Sequence, residues 1–303
     1  MKDVVVIVNP HSGKEGQSEL VNAISTHLRQ FFDKVVPYVS KDAKDVSDIA
    51  RAAREEGSTA VFVVGGDGTV SRAVRGLLDG AQDDEDLPIL GILPGGTGNG
   101  FARVLGIPSA IPEALGEFNP TRKRRIDIIF ANGTPYIYTL TGASLPEGIR
   151  EVPSKDKTRL GFLAYVASEL QRIGDNEQHR LRISVDGKSR EEQVNSFVAF
   201  SSNALVNLFT DQADAAIDDG LIHLLVLKDA SLPALLSLAP DVLRTSIEDN
   251  DHTLYMHGTS MRIECLEGNL RCGMDGDDGP CLPVSLNIKP QRVSAFYGSQ
   301  STM

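Results

Sequence analysis

The chain opens as apolar runs alternating with helical stripes. "DVVVIVNP" from Asp3, "KVVPYV" from Lys34, "TAVFVV" from Thr59 and "PILGILP" from Pro88 each read as a short, near-continuously apolar strand. Between them, three sets of apolar residues recur at three- and four-residue spacing, as on one face of a helix. These are Leu20, Val21, Ile24, Leu28 and Phe31; Val46, Ile49, Ala50 and Ala53; and Val70, Ala73, Val74, Leu77 and Leu78. Strands of this kind between amphipathic helices predict a parallel sheet covered on both faces.

After about Arg125 the texture changes. "RIDIIFA", "PYIYTLTG", "LRISVDG", "NSFVAFSS", "LIHLLVL", "SMRIEC", "VSLNI" and "VSAFYG" are short strands, many of them alternating, with glycine-containing turns between. Two helical stretches, Phe162 to Ile173 and Pro233 to about Ile247, interrupt them. The expected architecture is α/β: a three-layer α/β domain with a parallel sheet over 1–125, then a mostly antiparallel, β-rich domain over 126–290. A last strand within 291–303 is expected to pack back on the first domain, and a ligand cleft to lie between the two.

Composition narrows the function. With 303 residues, 41% hydrophobic and 23% charged, the chain can bury a sizeable core. A formal net charge of −11 argues against a general nucleic-acid binder and against loose electrostatic adhesion to anionic membranes. The cationic run in "TRKRRID" reads as a solvated turn, though it could touch lipid headgroups. The first apolar stretch is too short for a signal peptide, so a cytoplasmic protein is expected. Cys265, Cys272 and Cys281 lack zinc-ligand spacing and read as free thiols.

Chemistry concentrates where strands end. "GGDGT", Gly65 to Thr69, stands between an apolar strand and a helix, the place where ligands meet a parallel sheet. Glycines there let backbone N–H groups approach a phosphate, and the helix N-terminus adds a partial charge of about +0.5. Asp67 would repel a phosphate unless Mg²⁺ lies between them, or unless it positions a hydroxyl or a backbone amide. Read blandly, it is the N-cap of its own helix. "ILPGGTGNGFARVLGI" repeats the design with Gly96, Thr97 and Asn99, and "VNPHSGKEG" adds a third polar turn. Neither a Walker A loop nor the dinucleotide fingerprint fits these turns. "CGMDGDDGP" reads, by itself, as a hairpin turn; the ligand spacing of an EF-hand fails there.

"VNPHSGKEG", "GGDGTVSRAVRGL", "GILPGGTGNGFARVLGI" and "MDGDDG", in this order, resemble the diacylglycerol kinase catalytic family, which includes bacterial lipid kinases and sphingosine kinases. That family shares a wider fold superfamily with NAD kinases and phosphofructokinases. The resemblance extends through "RRIDIIFANGTPYIYTLTGA", "RLGFLAYVASELQRI" and "AAIDDGLIHLLVL", so it covers essentially the whole chain. It implies an ATP- and Mg²⁺-dependent kinase acting on a lipid hydroxyl, with diacylglycerol, a sphingoid base or phosphatidylglycerol as acceptor. Positions matching the family's nucleotide site are Asn9, Ser12, Gly66, Asp67, Gly68, Thr69, Gly96, Thr97 and Asn99. Asp127 and Asp275 match its catalytic carboxylates, with Asp277 where glutamate is usual. Asp275 is then expected to take the hydroxyl proton, its proton affinity raised by Asp127. Metal ligands are expected at Asp67 and Asp277, and a separate structural Mg²⁺ at Asp219 with the carbonyls of Ala216 and Leu221.

Two departures from the family stand out. Asn99-Gly100 replaces an Asn-Asp pair, and Asp277 is one methylene shorter than glutamate. The implied partners are a lipid at a membrane surface, reached by transient peripheral contact, with no nucleic acid and with a homodimer left open. Two other classes compete: an NAD kinase-like enzyme acting on a soluble dinucleotide, and a non-catalytic lipid- or nucleotide-binding protein of the same fold.

Overall fold

The computed structural model describes residues 3–10, 17–96, 99–142, 178–201, 217–229, 251–275 and 277–299. The expected helices at Phe162 to Ile173 and Pro233 to Ile247 lie outside them. The chain divides into two compact units, one of Met1–Ile128 with Gln291–Met303 and the other of Ile129–Pro290.

The first unit alternates as its pattern predicts: β1 (Asp3–Val8), α1 (Gln17–Leu28), β2 (Lys34–Val39), α2 (Ala43–Glu55), β3 (Ala60–Gly65), α3 (Asp67–Leu78) and β4 (Ile89–Pro94). The strands are parallel in the order β2-β1-β3-β4. β3 is central and every one of its residues is buried, which is why it carries no polar side chain. β2 is the edge. Pro37 can sit there because an edge strand does not need every N–H, and Tyr38 and Val39 are left exposed. Two short helices, α4 (Gly100–Val104) and α5 (Ile111–Gly116), follow β4. The first was expected from "FARVL"; the second, a single turn opened by Pro112, was not. β5 (Lys123–Ala131) begins inside the cationic run, so Lys123 to Arg125 are strand residues rather than a turn.

An aromatic cluster fills one side of this sheet. Phe62 meets Phe32 and Phe118 edge-on, with ring centroids 5.8 and 5.4 Å away, and stacks on Phe296 at 5.6 Å. The missing side chain at Gly91 makes room: a Cβ there would lie 2.4 Å from the Phe62 ring. Phe296 belongs to the end of β16 (Val284–Phe296), whose Ala295 pairs in parallel with Leu90 of β4.

The second unit is antiparallel. Its further strands are β6 (Thr134–Tyr136), β7 (Thr139–Gly142), β8 (His179–Val185), β9 (Lys188–Val194), β10 (Ser196–Phe200), β11 (Ile222–Leu227), β12 (Thr253–Gly258), β13 (Ser260–Cys265), β14 (Arg271–Met274) and β15 (Asp277–Cys281). One sheet runs β12-β11-β10-β7-β14-β15; the start of β16 joins β13, β8 and β9 in another. Alternate residues of both point into one core, with Leu181, Ile183 and Ile263 from one side and Phe197, Leu224 and Val226 from the other. The unit is therefore a β-sandwich. "VDGK" makes the β8–β9 hairpin, with Asp186 and Gly187 both at positive φ between paired Val185 and Lys188.

The Phe62 cluster generates a test. Replacing Phe62 by Ala should destabilise the first unit by about 3–5 kcal/mol, the usual cost of deleting a buried phenyl ring. Urea titration followed by circular dichroism should show it as a lowered midpoint.

Candidate active site

The ends of β1, β3 and β4 carry the glycine-rich turns, and side chains tie these turns together. Gly66 is the N-cap of α3 in extended geometry, and no side chain caps that helix. Asp67, in the first turn of α3, faces elsewhere. Its Oδ2 accepts the N–H of Gly100 and its Oδ1 the N–H of Phe101, each at 2.9 Å. Asp67 thus caps α4, the helix of the other glycine turn, by satisfying two donors that a helix start leaves unpaired. The bland expectation of an N-cap to its own helix is replaced by a cap across two turns.

Asn99 completes the second turn. It sits in the left-handed region (φ 48°, ψ 41°) and folds its amide back on Gly96: Oδ1 accepts the Gly96 N–H at 3.0 Å, and Nδ2 donates to the Gly96 carbonyl at 2.7 Å. Asparagine tolerates this conformation because its short polar side chain can bond locally. The two turns then touch backbone to backbone. A Cβ on Gly96 would stand 2.6 Å from the Gly66 Cα, so only glycine permits the approach. At the end of β1, Asn9 Nδ2 donates to the buried Thr69 Oγ1 at 2.9 Å. Asn9, Gly66, Asp67, Thr69, Gly96 and Asn99 are therefore brought together, with Gly68 in the first turn of α3. Ser12 and Thr97 lie outside the described residues.

The remaining acidic candidates hold main-chain donors. Asp127, buried on β5, accepts the Gln291 N–H at 2.6 Å, at the point where β16 passes through a positive φ. Asp275 occupies the turn between β14 and β15, closed by the pair Met274 and Asp277. At φ 53° it is a left-handed turn residue, as the bland hairpin reading expected. Yet its carboxylate is 2% exposed and accepts three N–H bonds: Ile137 on Oδ2 at 3.0 Å, and Tyr138 and Thr139 on Oδ1 at 2.9 Å each. Its own N–H donates to the Thr139 carbonyl at 2.9 Å. Asp275 clamps the acidic hairpin to the β6–β7 connection. Three main-chain donors on this carboxylate hold the hairpin in place. Asp277, at the head of β15, is partly exposed.

Nearby groups are chemically quiet. Burial first, then the Asp275 charge, holds the Tyr136 hydroxyl well above the usual phenol range. Burial, with Cys281 as neighbour, pushes the Cys272 thiol up to about 12, so it is inert rather than nucleophilic. Asp219 Oδ1 accepts the Leu221 N–H at 2.9 Å, and its Oδ2 lies 3.0 Å from His223 Nε2. Among the described residues no three His, Cys, Asp or Glu side chains gather as a metal cage. The metal assignments to Asp67 and Asp219 meet carboxylates whose oxygens already hold N–H groups. Nothing local in "LIHLLVL" marks His223, because its partners come from a turn and a neighbouring strand.

The fold and these turns define a kinase of the NAD kinase-like α/β plus β-sandwich class. The model of the diacylglycerol kinase catalytic domain matches residues 3–131, and that of the YegS C-terminal NAD kinase beta sandwich-like domain matches 149–297. A protein of Streptococcus pneumoniae serotype 4, described as a candidate lipid kinase, is 33% identical over 98% of both chains. The diacylglycerol kinase of Bacillus subtilis (strain 168) is 29% identical over 93% of this chain and 92% of its own. A crystal structure of a candidate diacylglycerol kinase from Bacillus anthracis str. Sterne superposes with a TM-score of 0.79 at 23% identity, covering 98% of this chain and 97% of that one. At that identity the likeness speaks for the fold. The chain belongs to the diacylglycerol kinase catalytic-domain family.

The Asp67 tie can be tested without any substrate. Asp67→Asn turns an NH₂ toward one of the two amides and should cost about 1–3 kcal/mol, the penalty of a buried donor left unpaired. Hydrogen exchange at Gly100 or Phe101 should accelerate. Unchanged exchange at both would show that the carboxylate does not hold α4.

Proposed function

We propose that the protein transfers the γ-phosphate of ATP to the hydroxyl of a diacylglycerol-like lipid. The observation that carries this reading is the tie between the two glycine turns. Asp67 and the Gly66–Gly96 contact hold two helix starts together, and the glycine-rich start of α3 carries no side-chain cap that would compete with a phosphate for its amides. Preorganised amides of this kind stabilise phosphate charge without reorganising during the reaction. Family membership supplies the acceptor class.

The chain's own residues then divide the work. The N–H groups around Gly66 and Gly68 receive the phosphates, with Thr69 held in place by Asn9 and with Asn99 keeping the Gly96 turn rigid. Phosphoryl transfer asks little covalent help from a protein; alignment and charge neutralisation dominate. Asp67 is the carboxylate that would hold Mg²⁺ through water beside the phosphates, and the ion would supply neutralisation of their charge. In the second unit Asp275 fixes the hairpin, and Asp277, two residues on, accepts the proton of the lipid hydroxyl. Acyl selection belongs to the second unit, and the enzyme visits a membrane surface to meet its lipid.

An ADP-release assay tests the reading. Diacylglycerol micelles should support ADP formation better than sphingosine, phosphatidylglycerol or NAD; ADP formation with NAD alone would overturn it. Asp277→Asn should lower kcat by about 10²–10⁴-fold, the range for one general base, with little change in melting temperature. Asp275→Asn should lower both. Full turnover in Asp277→Asn would remove the base assignment.

A further inference from the structure

The turn at residues 217–221 carries the second metal expectation, and its geometry has another partner for Asp219. Both carboxylate oxygens are engaged. Oδ1 accepts the N–H of Leu221, two residues on, at 2.9 Å, which closes the turn locally. Oδ2 stands 3.0 Å from Nε2 of His223. His223 is 4% exposed; its ring stacks on Phe200 at 5.7 Å with an interplanar angle of 19°, and the Tyr255 ring lies 6.0 Å away, tilted by 18°. Its other nitrogen, Nδ1, is 2.5 Å from the Tyr255 hydroxyl.

We infer that His223 takes the place of a structural divalent cation at this turn, so that the chain Asp219–His223–Tyr255 closes it without metal. The direction of the bonds follows from their ends. An ionised carboxylate only accepts, so Nε2 carries the proton that faces Asp219. In the neutral imidazole Nδ1 then accepts, and the Tyr255 O–H donates. Burial, then the Asp219 charge, pushes the Tyr255 hydroxyl up to about 12, so it keeps that proton across the working range.

The ring cannot swing aside to admit an ion. His223 is locked in β11, paired across the sheet with Phe200 of β10 and His257 of β12, with Phe200 stacked on the ring and both ring nitrogens bonded. A cation at Asp219 would displace the Nε2–H and leave a buried donor without an acceptor. The Ala216 carbonyl expected to share an ion with Asp219 lies outside the described residues. The inference concerns only this turn and is independent of the nucleotide reading. A metal requirement of turnover can coexist with a fold that needs none.

Two measurements on the full chain, without nucleotide, decide it. The first is the unfolding midpoint after EDTA treatment and after adding millimolar Mg²⁺ or Ca²⁺. It should be the same in both; a fall on chelation that either ion reverses would overturn the proposal. His223→Ala should lower the midpoint by several degrees, and an unchanged midpoint would also overturn it. Should that variant fail to fold, nitrogen NMR of the wild-type ring still decides. Nε2 should be the protonated nitrogen and Nδ1 the acceptor, with shifts indifferent to Mg²⁺. The opposite tautomer, or shifts that follow Mg²⁺, would sink the histidine clamp.

Discussion

The glycine turns of the first unit depend on one carboxylate spanning both of them. Asp67 leaves the first turn of α3 and takes the leading N–H groups of α4. Without it, the leading N–H groups of α4 would lose their acceptors and the two turns their side-chain link. With it, two loops that a chain could hold only loosely become one rigid rim. The cost of this arrangement is steric: side chains are excluded at the contact, since any Cβ on Gly96 would collide with the Gly66 backbone. Glycine is required there by proximity more than by dihedral angle.

The same logic explains why the strands beneath are so apolar. A rim built from backbone needs a platform that does not shift. β3 is buried along its whole length, and the ladder from β1 through β4 holds the three strand ends in register. Each fully buried Val, Ile or Phe contributes about 1.5–3 kcal/mol to that platform. The polar work is left to the few residues past the strand ends, where Asn9 meets Thr69 and Asn99 meets its own turn.

Much of this was legible in the residues. Near-continuous apolar runs marked β1 to β4, three- and four-residue spacing the three long helices, and short alternating runs most strands of the sandwich, because each pattern follows from how many faces the element buries. α5 was not, since one turn of helix gives no period to read. The edge character of β2 was visible only in Pro37, as burial depends on neighbours that the local pattern does not contain. The glycine turns announced a rim but not its fastening: Gly100 and Phe101 lie 33 and 34 residues beyond Asp67, and no local spacing links them. His223 was missed for a related reason. An isolated histidine in "LIHLLVL" looks like a strand filler until the Asp219 turn and the Tyr255 strand fold onto it.

The acidic residues carry a more general argument. Asp67, Asp127, Asp219 and Asp275 each attract a chemical reading as metal ligand or proton acceptor, and each has main-chain N–H groups on its oxygens. Asp186, at the β8–β9 turn, does the same with the N–H groups of Thr259 and Ser260, which hold its carboxyl below the usual carboxylate range. A carboxylate is the strongest acceptor a chain has, and turns and helix starts are where donors lack partners. Acidic residues therefore collect at the points where active sites also collect, for reasons of folding alone. A short loop motif cannot distinguish the two uses, because a long-range amide donor leaves no local trace in sequence. Geometry supplies what the motif lacks, the identity of the distant main-chain donors that each carboxylate holds.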